Sequence, residues 1–519
     1  MIIQAMIKPS EYHDSVSLML VASELSGLEG VLDAAVVMAT EANKAILAGA
    51  GLLTPEIRSA NANDLVISVK AGDAGRAAQA LEKAEELLKK KAAPETGGSF
   101  KPKTLRSALS LQPDANLAVI SVAGRYAADE AWEALLHGLH VLLFSDNVSL
   151  EDEIALKEYA CDQGLLLMGP GAGTAILNGV ALGFANVLPH GPVGIVSAAG
   201  TGLQEVSSLL ARRGVGLSQG IGTGGRDLKQ EVGGRMFLQA LRALQADPAT
   251  QVLVLISKPP AEDIARRILQ QAAACEKPTV VCFLGGDLKS MPLVANVIPA
   301  RTLQECSLLA VQALRPETGD IQPQLEEEKI RLARQAREIK GRLAASQRYL
   351  RGLYSGGTLC YEAQVIWKDL LHEPVSSNAP LPGGLTMPDS TRSSGHCAVD
   401  LGEEEFTVGR PHPMIDNSLR IRRLLQEARD PQTAVILLDV VLGYGAHPDP
   451  AGELAPAIRQ ARELARTGAR ELAVVASVTG TQGDPQGLGR TIATLEASGA
   501  FVCDCNAAAA YLAGSIVSG

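Results

Sequence analysis

The residues best placed to do chemistry are Gly200, Thr201 and Gly202, in the run GPVGIVSAAGTGLQE from Gly191 to Glu205. Val193 to Ser197 is a short apolar, β-branched run of the kind that forms a buried parallel strand. Ala198 to Gly202 supplies small residues where the backbone must turn sharply and come close to something. Leu203, Val206, Leu209 and Leu210 continue at helical spacing. A strand, glycine turn and helix in this order aim the free N–H groups of the first helical turn at the strand's carboxyl end, with the helix dipole behind them. That arrangement holds a phosphate or carboxylate. A tight βα turn without a ligand is the alternative reading.

Further polar residues fall at the ends of apolar runs, where parallel sheets bind ligands. Arg125, Asp146, Asn147 and Thr174 are of this kind. Lys258, between Ser257 and Pro259, is either a catalytic cation or a solvated lysine. Arg226 either grips an anion or pairs with Asp227 or Glu231. Arg410 and His412 stand in the proline-rigid stretch TVGRPHPMID. An arginine fork and a histidine that titrates near neutrality suit a dianionic or carboxylate group, with a surface salt bridge as the plainer alternative. Asp439, inside AVILLDVV, serves either catalysis or the holding of a backbone N–H. Gly220 to Gly225 spells G-x-G-x-x-G, but no helical apolar stripe follows it, and no P-loop motif occurs. His137 with His140, and Cys503 with Cys505, lack convincing ligand spacing, so no metal site is assigned.

The elements that must position these residues follow from pattern and composition. The chain has 519 residues, 51 of them glycine, and is 46% hydrophobic but only 3% aromatic, which suits α/β domains with aliphatic cores. Residues 1–91 read as a small α+β unit of split βαβ type, with strands at 2–7, 30–38 and 64–70. Residues 92–116 form a linker opened by a Pro, Gly and Lys-rich stretch. In 117–188, strands at 117–122, 141–144 and 165–168 alternate with helices, giving a Rossmann-like unit. A flavodoxin-like unit follows over 189–315, with strands at 193–197, 215–219, 252–256 and 279–284. A charged connecting helix spans 316–351, and a second flavodoxin-like unit fills 352–519. The net charge of -10, without a basic stripe, argues against a nucleic-acid partner. Scattered cysteines, no membrane-length apolar run, and Lys8, Glu11, His13 and Asp14 near the start point to a cytosolic chain without a secretory leader.

Gly169 to Thr174, the run from Gly191 through Thr201, and Lys277-Pro278-Thr279 resemble the α subunit of succinyl-CoA synthetase, over about 117–284. The C-terminal unit resembles the CoA-ligase domain of that enzyme's β subunit. The runs SVAGRYAADEA, FSDNVSLEDEI, GGRDLKQEVGG, SKPPAE, TVGRPHPMID and LLDVVLGYGA resemble FdrA-type proteins along nearly the whole chain. The synthetase resemblance implies helix amino ends aimed at one phosphoryl group. The candidates are Gly200-Thr201-Gly202 and Gly445-Ala446-His447, with a third at Ser355-Gly356-Gly357-Thr358. His447 could instead be a packing residue near a helix cap. The phosphate-accepting histidine of the synthetases has no counterpart in Gly285-Gly286-Asp287-Leu288-Lys289, Lys258 stands where they have a glutamate, and the nucleotide-binding domain is missing.

The FdrA resemblance implies a subunit of an oxamate carbamoyltransferase of allantoin and purine breakdown, acting with two companion subunits. Phosphate and carbamoyl phosphate are then substrates, no cofactor is assigned and CoA is not expected. Homo-oligomerisation stays open. The alternatives are an acyl-CoA synthetase-like enzyme that borrows nucleotide chemistry from other chains, and a non-catalytic assembly protein.

Overall fold

A computed structural model describes residues 2–11, 15–92, 102–286, 296–407 and 410–518. His13, Asp14, most of the linker's opening stretch, Asp287 to Lys289, and Val408 and Gly409 lie outside the described residues. The chain divides into two compact units, one of Met1–Leu111 with Glu403–His412, the other of Gln112–Gly402 with Pro413–Gly519.

The first unit runs β1 (Ile2–Lys8), α1 (Ser15–Ser26), β2 (Val31–Met38), α2 (Glu41–Gly49), α3 (Pro55–Ser59), β3 (Leu65–Ala71), α4 (Ala74–Ala92) and α5 (Leu105–Leu111). Its sheet has the order β1-β3-β2, with β3 antiparallel to both neighbours, which is a split βαβ arrangement. β3 is the central strand and almost wholly buried, because one helical layer packs on Leu65, Ile67 and Val69 and another on Val66.

The second unit begins with β4 (Leu117–Ile120), α6 (Gly124–Leu136), β5 (His140–Leu143), α7 (Leu150–Asp162) and β6 (Leu167–Met168), a parallel sheet ordered β4-β5-β6. The hairpin β7 (Thr174–Leu177) and β8 (Val180–Gly183) follows. Then come β9 (His190–Ser197), α8 (Gly200–Arg212), β10 (Leu217–Gly222), α9 (Arg235–Ala246), β11 (Val252–Ser257), α10 (Glu262–Ala273), β12 (Thr279–Phe283), β13 (Val297–Pro299) and α11 (Leu303–Leu314). Their sheet has the order β13-β12-β11-β9-β10-β7-β8, parallel from β13 to β10. From β9 the chain first goes to β10 on one side and then to β11 on the other. The topological switch, where such sheets bind ligands, therefore lies between the carboxyl ends of β9 and β11.

The charged helix α12 (Gln322–Lys340) leads to β14 (Tyr349–Tyr354), α13 (Gly357–Leu370), β15 (Val375–Ser377), β16 (Leu385–Thr386) and β17 (His396–Asp400). After α14 (Glu404–Thr407), which belongs to the first unit, come α15 (Ser418–Arg429), β18 (Thr433–Val441), α16 (Pro450–Thr467), β19 (Ala473–Thr479), α17 (Leu488–Ala497), β20 (Phe501–Cys503) and α18 (Asn506–Val517). This all-parallel sheet is ordered β16-β15-β17-β14-β18-β19-β20. One apolar core, with residues of α8, α11, α13 and α18, is shared by both seven-stranded sheets.

The α/β class with parallel sheets and a small N-terminal domain is as the sequence implies, but three local readings change. Thr174 opens β7 rather than ending a strand, because the left-handed pair Asn178-Gly179 (φ 50° and 78°) folds β7 back onto β8. Gly220 to Gly222 lies inside β10, so the G-x-G-x-x-G match is half strand and forms no dinucleotide turn. The connecting helix ends well before residue 351. Arg351 sits buried in the middle of β14, 3.1 Å from Glu427 and 2.8 Å from Asp430. Among the described residues no helix is long and apolar enough to cross a membrane.

Candidate functional site

The amino end of α8 is open. Ser197 holds the preceding turn by accepting from Ala199 N (3.0 Å) and donating to Ala199 O (2.8 Å), and Ala198 N donates to Ile256 O on β11. No side chain caps the helix, and no described residue accepts a hydrogen bond from the amides of Gly200, Thr201 or Gly202. A Cβ built on Gly200 would meet only Thr174 Oγ1, at 3.7 Å. Lys258 follows β11 on the other side of the switch. Its ammonium lies 5.4 Å from the centre of the Tyr361 ring, in a cation–π contact, and pairs with no carboxylate among the described residues. Free amides at a helix amino end beside a topological switch are the kind of feature that can hold an oxyanion.

The amino end of α13 differs. Asp439, fully buried on β18, accepts from Ser355 N (2.7 Å), Ser355 Oγ (2.9 Å) and Gly356 N (2.8 Å). Arg420, itself buried, neutralises that carboxylate at 3.1 Å, and burial pushes its guanidinium pKa down. Thr358 N donates to Thr201 Oγ1 (3.3 Å), and a Cβ on Gly357 would stand 2.5 Å from Asp400 Oδ2. Asp439 thus holds the turn that leads into this helix. The amides of Gly356 and Thr358, two of the residues expected to bind phosphate, donate within the protein. Asp439 takes the backbone-holding role left open by the sequence.

Gly202 and Gly356 have a shared purpose. A Cβ on Gly202 would meet Thr358 Cγ2 at 3.0 Å, and one on Gly356 would meet Thr201 Cγ2 at 2.9 Å. The two glycines let α8 and α13 abut through reciprocal threonines. Thr201 thus offers its amide to the crevice while its side chain joins the helices.

The remaining predicted residues are dispersed. Thr174 lies beside Gly200 but donates its hydroxyl to Phe184 O (2.7 Å). A Cβ built on Gly445 would stand 3.0 Å from the Phe184 ring. His447 accepts from Asp449 N through Nδ1 (3.1 Å) and pairs with Glu453 at 3.3 Å, which is the packing alternative. Arg226 is paired with Glu153 (2.7 Å) and donates to Val148 O (2.8 Å), rather than meeting Asp227 or Glu231. Asp227 instead joins buried Lys157 at 2.9 Å and accepts from Phe237 N. Arg125 is exposed and stacks on Tyr126 at 4.8 Å. Arg410 and His412 belong to the first unit, where Arg410 approaches Asp33 at 3.9 Å.

Sequence reasoning missed the acids behind the site. Glu205 on α8 accepts from Asn506 N (2.9 Å) and from the Thr479 hydroxyl. Glu362 on α13 accepts from Leu303 N (2.6 Å) and Asn506 Nδ2 (2.8 Å). Burial pushes the Glu362 carboxyl up to about 7. The signal was present as a repeat, G-T-x-x-x-E at both Gly200–Glu205 and Gly357–Glu362.

Residues 1–104 match the family model described as AllF, heavy metal-associated domain, and residues 353–516 match the CoA-ligase model. The chain is 44% identical over 497 residues, 94% of its own length and 93% of the relative's, to the Escherichia coli protein described as uncharacterized protein YahF. It is 31% identical over 178 residues to the alpha subunit of ADP-forming succinate–CoA ligase of Methanothermobacter thermautotrophicus, covering 33% of this chain and 58% of that one. It thus spans little more than half of that relative. Among solved structures, it is similar to the dinucleotide-forming acetyl-coenzyme A synthetase 1 of Ca. Korarchaeum cryptofilum in complex with phosphate and ADP. That match has 14% identity and a TM-score of 0.34, over 82% of this chain and 86% of that one. The heavy-metal description does not fit the residues present. Residues 1–104 contain no cysteine, and no three His, Cys, Asp or Glu side chains among the described residues gather to hold a metal ion.

Proposed function

The chain belongs to the family of Escherichia coli YahF, and from that premise we propose that it is an FdrA-type subunit of a cytosolic oxamate carbamoyltransferase. The reaction is oxalurate plus phosphate to oxamate plus carbamoyl phosphate, in allantoin breakdown. The observation that carries the reading is the open helix end at Gly200-Thr201-Gly202, beside the topological switch of a CoA-ligase-like scaffold. An AllF-type N-terminal domain supports the same reading.

In this reading the α8 amides and Lys258 hold the phosphate. A phosphate oxygen attacks the carbamoyl carbon of oxalurate. The bond from that carbon to the oxamate nitrogen breaks, and the nitrogen takes up a proton. Without a phosphate-accepting histidine, catalysis is positioning and electrostatics. Two companion subunits complete the site. The chain with its companions is expected to consume oxalurate only when phosphate is present, with no need for ATP or CoA. A carbamoyl phosphate assay checks this, and a nucleotide-dependent CoA thioester would refute it. The CoA-ligase match over 353–516 favours the second reading, an acyl-CoA synthetase-like enzyme, which tight CoA binding would support.

A further inference from the structure

Behind the open helix end lies a group that the proposed reaction does not use. Asn506, the first residue of α18, donates its backbone N–H to Glu205 and its side-chain amide to Glu362. All three side chains are buried. Glu205 stands five residues into α8 and Glu362 five into α13, so one asparagine ties together the two helices whose amino ends meet at Thr201 and Thr358. We propose that Glu205, Asn506 and Glu362 form a proton-linked brace that regulates anion binding at the amino end of α8, a proposal resting on the reading of that end as an oxyanion site.

The groups acting on Glu362 decide the direction. Burial, the largest influence, and Glu205 favour its protonated form, while Asn506 Nδ2 and Leu303 N favour the ionised one. Tyr354 on β14, Cys282 on β12 and Cys505 before α18 also lie within its electrostatic reach, and none of them is a cation. Ionisation of Glu362 near pH 7 thus places a negative charge in the buried space between α8 and α13. The glutamates sit about 7.5 Å along their helices from the first-turn amides. At that range a new negative charge opposes an incoming anion. Anion binding is therefore strong below neutrality and weaker above it.

Sulfate keeps its charge across this range, so its titration into the full chain, followed by calorimetry from pH 5.5 to 8.5, reads the brace directly. Binding should weaken roughly fivefold between pH 6 and pH 8. Glu362→Gln should abolish that dependence. Asn506→Ala removes a bond that favours the ionised form and should move the transition to higher pH. A flat native profile, or an unchanged dependence in Glu362→Gln, overturns the proposal. Should sulfate fail to bind at any pH, the oxyanion reading falls. The brace is then judged on the urea midpoint, which should drop between pH 5 and 7 in the native chain more than in Glu362→Gln. Equal slopes would refute it independently.

Discussion

Asp439→Ala is expected to destabilise the second unit by about 3–5 kcal/mol, the usual cost of breaking a buried ion pair. The substitution leaves Arg420 buried beside an empty space and strands the donors Ser355 N, Ser355 Oγ and Gly356 N. Each stranded donor adds a desolvation penalty of about 1–3 kcal/mol, part of it recovered by relaxation and entering water. Urea unfolding followed by circular dichroism measures the loss. A change below about 1 kcal/mol would mean that Asp439 does not hold this turn, and would return the amino end of α13 to the list of ligand sites. Asp439→Asn keeps one acceptor oxygen and should fall between the two.

Gly200→Pro is expected to separate binding from folding. Gly200 is the first residue of α8, where proline is well tolerated, and Ala199 before it is already extended (φ -143°, ψ 101°), as a residue preceding proline must be. A Cβ there meets nothing closer than 3.7 Å. Stability should therefore change by no more than about 0.5–1 kcal/mol. The substitution deletes one free amide and places a ring in the crevice, so phosphate affinity should fall about tenfold or more, the worth of a lost charge-assisted hydrogen bond. Lys258→Gln should lower it by a similar factor while sparing the fold. Thermal-shift titration with phosphate reads both variants through mass action. Unchanged affinity in both would show that phosphate does not bind between β9 and β11.

The architecture was readable where burial enforces pattern. β11 is buried at every position, so Val252 to Ile256 could only be an interior strand. β14 was obscured because Arg351 interrupts its apolar run. Only the packing of Glu427 and Asp430 from elsewhere in the chain makes an arginine tolerable there. The β7–β8 hairpin carried the clearest local signal that went unused, Asn178-Gly179 between apolar residues. The α8 site was legible because its strand, turn and helix are contiguous. Its limits were not. Thr201 meets Thr358 across 157 residues, and no local pattern shows that Gly356 serves that contact while Asp439 holds the turn before α13.

The proposed oxyanion site of the second unit lies at the amino end of α8 and not at that of α13. Crystals of the full chain grown in ammonium selenate test it most directly, because selenium scatters anomalously and locates the anion without ambiguity. The expected map shows a selenate on the amides of Gly200, Thr201 and Gly202 beside Lys258, and none on Ser355 to Thr358. A selenate on the α13 turn, with none at the amino end of α8, would overturn that placement.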